Sequence, residues 1–439
     1  MKLLKLLFNS TLLLQTHPSP TTAIYQQHRN ETIVYRSANN QRDVTLEDLD
    51  GFKKLHYIKE KIVLPIQEIS PKNTITNDGT DYALEDAAIF DVFAPDATYM
   101  HNGVESAPPQ NNRIYQIDNA DEHVLIVKSP ERNNDVATIS ILKKETGKTT
   151  ELQRVADGIL VTVQPNDYDE DAFDRDFRYG EGIVVEDGND ELETPSLDRS
   201  WVEEGFSKKE CLSWRQIRFS IAYDTSFCEK NGGTQESADS RALEIISFVS
   251  HKYKQKFLCV DVILSHLEGY CDINLDPYQD MVNMNDSGCE GGGLLQRFQD
   301  YWNSNKTKIS RDTTHLFSGT KLECEGRQCT VGCAYHHTTC MEGKSYGVNN
   351  ACFSGSANKV ANLVAHEFGH SNGALHYNDG DGTYLMEPSV NSGTSGFSRN
   401  SIAMMKAYLA VRSCGRIRLC EVAAGDLIPK FLRSRINNN

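Results

Sequence analysis

The first 210 residues contain no cysteine, and residues 24–165 no metal-ligand spacing and no nucleophile motif. Nowhere does an apolar run approach the roughly 18–20 residues that a membrane-spanning helix needs, which excludes stable membrane insertion. Nor is there an excess of positive charge, since 45 Lys and Arg stand against 61 Asp and Glu, a net charge of −16. A chain this acidic lacks the basic patches that displace counterions from a phosphate backbone, so nucleic acid is excluded as a partner. No internal repeat is present. With 439 residues, 39% hydrophobic and 24% charged, the composition is that of a folded protein of two or three domains.

What is present is unevenly placed. Residues 1–210 hold 38 acidic and 22 basic side chains, the whole of the net charge, whereas residues 211–439 hold 23 of each. All twelve cysteines lie in the second stretch, from Cys211 to Cys420. An even number crowded into one half reads as a disulfide framework made in an oxidising compartment. Residues 1–23 agree with secretion: Lys2 and Lys5 precede an apolar run from Leu6 to Leu14, interrupted by Asn9–Thr11, and Thr21-Thr22-Ala23 offers small residues for cleavage. Sequons at Asn30, Asn285 and Asn305 suit a secreted glycoprotein.

Residues 24–165 carry short alternating apolar runs such as Val124-Leu125-Ile126-Val127, separated by turn formers, and predict a β-rich domain. Residues 166–210 form an acidic linker: between 167 and 204, fifteen carboxylates meet only Arg175, Arg178 and Arg199. Such a block is expected to stay solvated and extended. It also offers maturation sites to a basic-specific processing protease at Arg175–Arg178 and Lys208-Lys209, which puts the mature N-terminus between 179 and 212. Residues 211–425 alternate strand and helix signals: a strand over Gln216–Tyr223, a helical stripe at Ala242, Ile245, Ile246 and Val249, a strand over Phe257–Leu267, a helix around Leu294–Trp302 and a short strand at Val331–Tyr335. This alternation predicts an α/β (α+β) domain, a mixed twisted sheet with packed helices. Residues 426–439 are a C-terminal tail.

One segment carries chemistry. From Ser356, a plausible N-cap, a helical stripe runs through Val360, Leu363, Val364 and Phe368. His366 and His370 stand on an adjacent face, and four residues advance a helix by about 400°, so both imidazoles project the same way. That spacing lets both bind one tetrahedral Zn2+. Glu367 lies about 100° round the helix, near enough to hold a water without being a ligand. Gly373 can take the left-handed conformation that turns the chain back, and His376 follows as third ligand. Three imidazoles leave one position of the catalytic ion open, and Glu367 is placed as general base. Ten residues past the complete run His366-Glu367-Phe368-Gly369-His370-Ser371-Asn372-Gly373-Ala374-Leu375-His376, Tyr384-Leu385-Met386-Glu387-Pro388 supplies a methionine to pack beneath the histidines. The long histidine motif with a later Met-turn is the signature of the metzincin zinc peptidases.

Residues 212–415 resemble the reprolysin (adamalysin, ADAM-like) branch of the metzincins. Beyond the zinc motif, Arg218–Asp224 resembles the family's first strand, Asp312–Gly319 an inner strand, Gly332-Cys333-Ala334-Tyr335 the edge strand on which an extended substrate lies, and Phe397-Ser398 with Ile402, Met405 and Leu409 the closing helix. The resemblance implies His366, His370 and His376 as zinc ligands, Glu367 as catalytic base and Met386 as the Met-turn residue. It also implies substrate binding by Gly332 and Ala334, a protein or peptide substrate, and a signal, an inhibitory propeptide and a catalytic domain in that order. Ca2+ is compatible with it, though no acidic loop shows a defined ligand spacing.

The chain departs from the branch in three ways. Tyr377-Asn378-Asp379 follows the third histidine where reprolysins have Asp, which keeps pappalysin-like and gametolysin-like branches open. The cysteine-free first half cannot place a thiolate on the zinc, so latency would need another group, such as a carboxylate of the acidic stretch. Little follows the catalytic domain. Two other functions are compatible with the composition: an inactive disulfide-rich binding or adhesion protein on the same fold, and a structural metal protein. The intact Glu367 and the open fourth position count against both. Cys324, Cys329, Cys333, His336, His337 and Cys340 could form a second zinc site, but disulfides are expected there. His315 is expected to be a buried, hydrogen-bonded structural histidine.

Overall fold

The computed structural model describes residues 87–109, 114–128, 138–152, 214–282, 289, 293–322, 330–376, 384–388 and 396–412 in full, and further stretches as backbone strands only. The proposed signal, the Lys208-Lys209 pair, Tyr377–Asp379 and the C-terminal tail lie outside the described residues, apart from Thr22 and Ala23 in a strand.

The first half is built from strands, as its alternation predicts. They are β1 (Thr22–Tyr25), β2 (Tyr35–Arg36), β3 (Asp43–Val44), β4 (Ile62–Glu68), β5 (Thr74–Asn77), β6 (Thr80–Ala83), β7 (Ala88–Ile89), β8 (Phe93–His101), β9 (Val104–Glu105), β10 (Ile114–Asp118), β11 (Glu122–Lys128), β12 (Val136–Lys143), β13 (Thr149–Ala156) and β14 (Ile159–Val163). Eight form an antiparallel sheet in the order β1-β4-β14-β13-β12-β11-β10-β7, while β2–β3 and β5–β6 pair separately. Successive side chains of β11 point to opposite faces. Val124 and Ile126 pack with Ile139, Ile141 and Leu152 in a small core of their own, whereas Leu125 and Val127 join the large core of the second half.

The second half holds β17 (Ser213–Tyr223), α1 (Thr225–Lys230), α2 (Gln235–Tyr253), β18 (Val260–Gly269), α3 (Gln279–Val282), α4 (Leu294–Asn305), β19 (Thr313–Ser318), β20 (Cys324–Glu325), β21 (Gln328–Thr330), β22 (Gly332–Tyr335), β23 (Tyr346–Asn350), α5 (Ala357–Ser371), α6 (Arg399–Ala410) and β24 (Arg416–Leu419). A mixed sheet runs through β22-β23-β19-β17-β18, with β19, β17 and β18 parallel and β22 antiparallel to β23. Ile217, Phe219, Ile221 and Tyr223 of β17 face α2 and α5, while Ala222 faces the core around Phe298 and Trp302 of α4. This is the mixed α/β architecture expected of a metzincin domain. Two strand starts differ by three residues: β17 begins at Ser213 and not at Gln216, and β18 at Val260 and not at Phe257, the second because Phe257 and Cys259 take φ of 75° and 59°, a left-handed turn that apolar content alone does not reveal.

Disulfides Cys228–Cys271 and Cys289–Cys333 brace this half. Cys259 and Cys340 are also disulfide-bonded, and Cys352 carries a free thiol. Bonding of Cys333 and Cys340 into disulfides agrees with the preference for bridges over a second zinc site. His315 is fully buried, packs against Phe219 and meets Asn349 at 3.1 Å, a structural role as expected.

The halves are not separate bodies. Strand β8 lies parallel to β18 and extends the second half's sheet, with β9 folded back on it. Arg218 on β17 reaches Asp96 on β8 at 2.8 Å. Two short strands of the acidic stretch, β15 (Arg178–Gly180) and β16 (Ile183–Val185), pair in parallel with β21 and β22. At these six positions the acidic stretch is hydrogen-bonded as strands and not solvated as its charge predicts.

The first half also sits on α2. Asn358 amide donates to Glu151 at 2.7 Å and accepts from Lys252 at 2.7 Å. His123 Nε2 donates to the Gln116 side-chain oxygen at 3.0 Å, so its Nδ1 accepts from His251 Nδ1 at 2.6 Å, and His251 Nε2 accepts from Ser140 at 3.1 Å. Every donor in that chain has an acceptor only if both imidazoles are neutral.

Candidate metal centre

Helix α5 begins where the Ser356 hydroxyl accepts from the Lys359 amide at 3.3 Å, and it buries Val360, Leu363, Val364 and Phe368 fully. Burying that stripe fixes the helix's rotation and presents His366 and His370 on one side. The turn after the helix is set by Gly373, whose φ of +93° suits a residue without Cβ. A Cβ there would lie 2.6 Å from the His337 ring. This turn brings His376 back over the helix.

The three imidazoles converge. His366 Nε2 lies 3.0 Å from His370 Nε2 and 3.2 Å from His376 Nε2, and His370 and His376 are 3.1 Å apart. His366 Nδ1 donates to the Leu385 carbonyl at 2.5 Å and His370 Nδ1 to the Ala374 carbonyl at 2.8 Å. Carbonyls accept only, so these two rings carry their protons on Nδ1 and present bare Nε2 lone pairs to each other. Burial favours the neutral form: it brings His366 to about 3, with His376 adding to the shift, and takes His370 well below the ordinary value.

Facing lone pairs at this separation repel unless a cation lies among them. Three nitrogens about 2.0–2.1 Å from one ion at tetrahedral angles stand about 3.3 Å apart, close to the observed spacing. The donor set therefore fits Zn2+. Among the described residues this is the one group of three or more His, Cys, Asp or Glu side chains placed to share an ion, so the Ca2+ expectation gains no support there.

Glu367 is 1% exposed, neither of its oxygens has a hydrogen-bond partner, and burial pushes its carboxyl well above the usual range. A buried carboxylate without a partner is costly by itself, and a water and a nearby cation are what would compensate it. Met386 is fully buried against α5: a Cβ on Gly369 would meet its Sδ at 2.5 Å, which places the thioether under the turn that carries both helical histidines. Gly332 and Ala334 lie on β22, above α5, with Gly332 directly over Glu367.

Two groups at the site escaped sequence reasoning, and a third was read in another role. The carbonyls of Leu385 and Ala374 orient two rings, and a backbone oxygen leaves no trace in a motif. His336, which the sequence grouped with the neighbouring cysteines, lies 6.2 Å from the His370 ring and is lowered to about 4, by burial first and then His337. It stands just past the end of β22, two residues after Ala334.

The fold and the histidine cluster fit a metzincin-type metal centre. Residues 213–415, a little under half of the chain, match the Reprolysin_5 family model, described as metallo-peptidase family M12. No curated protein matches the chain. Among solved structures it is similar to metalloproteinase-II from Bacteroides fragilis, with 13% identity, a TM-score of 0.38, and coverage of 82% of this chain and 94% of that one. It is also similar to a chaperone–substrate complex, with 11% identity, a TM-score of 0.31, and coverage of 44% and 34%. Scores this low bear no weight on fold or activity. No helix among the described residues is long and apolar enough to cross a membrane.

Proposed function

We propose that this chain is a secreted zinc endopeptidase made as a zymogen. The observation that carries the reading is the convergence of three Nε2 atoms at 3.0–3.2 Å beside the buried, unpartnered Glu367. His366, His370 and His376 would hold one Zn2+, which when bound polarises a carbonyl and acidifies water. Glu367 takes the proton of the attacking water and passes it to the leaving amine. The Leu385 and Ala374 carbonyls keep His366 and His370 in the required tautomer, and Met386 keeps the helix from shifting beneath them. Strand β22 offers its backbone at Gly332 and Ala334 to an extended protein or peptide substrate.

Latency is supported by β16, which lies on that same strand: Ile183, Val184 and Val185 stand opposite Cys333, Ala334 and Tyr335. While these pairs persist, a substrate strand has no edge to join. Secretion is supported by the disulfides, which form in oxidising compartments.

The test is Glu367→Ala. The substituted chain is expected to hold one Zn2+ and to digest a peptide library about 10²–10⁴-fold more slowly than the unaltered protein. Full peptidase activity in a zinc-loaded Glu367→Ala protein would refute the mechanism, and a wild-type protein that binds zinc and peptide without cleavage would favour the binding-protein reading.

A further inference from the structure

We propose that Gly332 is a positioning residue for Glu367, holding the carboxylate in place by having no side chain. This role is separate from any contact of the Gly332 backbone with substrate, and it rests on Glu367 being the base. A Cβ built on Gly332 would lie 2.8 Å from Glu367 Oε1 and 2.9 Å from Glu367 Cγ, with Leu363 Cδ1 also at 2.8 Å. Real Cβ atoms do not approach other heavy atoms so closely, so a side chain at 332 presses on both neighbours.

The two differ in what resists displacement. Leu363 is fully buried in the main core, and moving it disturbs packing around Val360 and Phe368. Glu367 has no hydrogen bond to hold it. The carboxylate is therefore the softer partner, and a methyl group at 332 pushes it away from the space between β22 and the histidines. A displacement of about 1 Å in a reacting group can cost on the order of a hundredfold in rate. The chain cannot evade the contact by lifting β22, because Cys333 is bridged to Cys289 and Gly332 is paired with Asn349 on β23.

The test uses the full chain after activation and a fluorogenic peptide cleaved by the wild type. Gly332→Ala is expected to lower kcat at least tenfold, with KM within twofold and one Zn2+ per chain retained. In a Glu367→Ala background, which has no atom beyond Cβ to displace, adding Gly332→Ala should lower the residual activity at most threefold more. A merely structural role would lower both backgrounds alike and would move Tm and zinc content together with kcat. If Gly332→Ala fails to fold, Gly332→Ala with Leu363→Val relieves the core contact and should show the same loss of kcat. Unchanged kcat, or a rise in KM alone, overturns the proposal. These failures are distinct from failure of the proposed function, which would appear as full activity in Glu367→Ala itself.

Discussion

The amino-terminal sheet and the carboxy-terminal sheet bury comparable apolar strands but hold them differently. The first is antiparallel throughout and contains no cysteine. The second has parallel inner strands covered by helices and is bridged by disulfides. Parallel strands are joined only through long crossovers such as α2 between β17 and β18, and the histidine pair sits on α5, which packs in the same core as α2. Hairpins provide no such helical layer. The contrast teaches that the chemistry sits on the helix-covered sheet, while the first half supplies surface: β8 at one sheet flank, His123 and Glu151 against α2 and α5, and β16 on β22.

The comparison breaks most sharply at the histidines. Replacing His370 by Ala is expected to abolish both Zn2+ binding and turnover, whereas His123→Phe, a change at an equally buried histidine of the first half, should leave one Zn2+ per chain by metal analysis. A His370→Ala protein that kept wild-type zinc affinity would remove the distinction between the halves.

Next in size is the bridge. Cys228 and Cys271 are 43 residues apart, and opening that loop by a double change to Ser is expected to cost about 4 kcal/mol in denaturant unfolding. A loss below about 1 kcal/mol would mean that the second half does not depend on its covalent bracing.

A smaller effect comes from pH. Burial brings His123 from 6.5 to about 3, and burial, with His123 beside it, takes His251 well below 6.5. Asp118 and Asp261 favour protonation of His123, while Lys144 and Lys254 oppose it; Lys252 and Lys254 oppose it at His251. Above 6.5 the folded and unfolded states are both neutral, and the pair adds no pH dependence. Between 6.5 and about 3 the unfolded chain takes up a proton that the folded chain refuses, so stability falls as pH falls. For His123 alone the loss is about 2 kcal/mol at pH 5. Melting curves from pH 7 to 5 should be less steep in pH for His123→Phe, and identical slopes would exclude the pair as the cause.

The smallest change is Asp96→Ala. Its carboxylate is 57% exposed while it meets Arg218 at 2.8 Å, so the loss should stay within about 1 kcal/mol. A larger loss would show that β8 is held to β17 by charge more than by its ladder with β18.

Much of the second half was legible because local rules coincide there. The positions of His366, His370, Gly373 and His376 are fixed by helical geometry and one glycine turn, and Ser398 capping α6 follows from the same local rules. What was not legible depended on distant partners. Nothing in Phe93–His101 says that it pairs with β18 across more than 160 residues of chain. The fifteen carboxylates near β15 and β16 suggested solvation, yet strand pairing uses backbone groups, which are indifferent to composition. His123 has Gln116 seven residues away, but the imidazole it meets, His251, is 128 residues away. The approach of Gly332 to Glu367 likewise joins two motifs that were read separately.

The pairing of β8 with β18 bears on what proteolysis can achieve. Cutting a peptide bond in the acidic stretch leaves this ladder, the Asn358 contacts and the β16–β22 pairs intact. The cut changes connectivity alone, so two ends that met at the effective concentration of one chain become two molecules that meet at their actual concentration. In a zymogen of the proposed kind, activation would then scale with dilution: a nicked protein kept concentrated would stay largely closed, and the same protein released into a large volume would open.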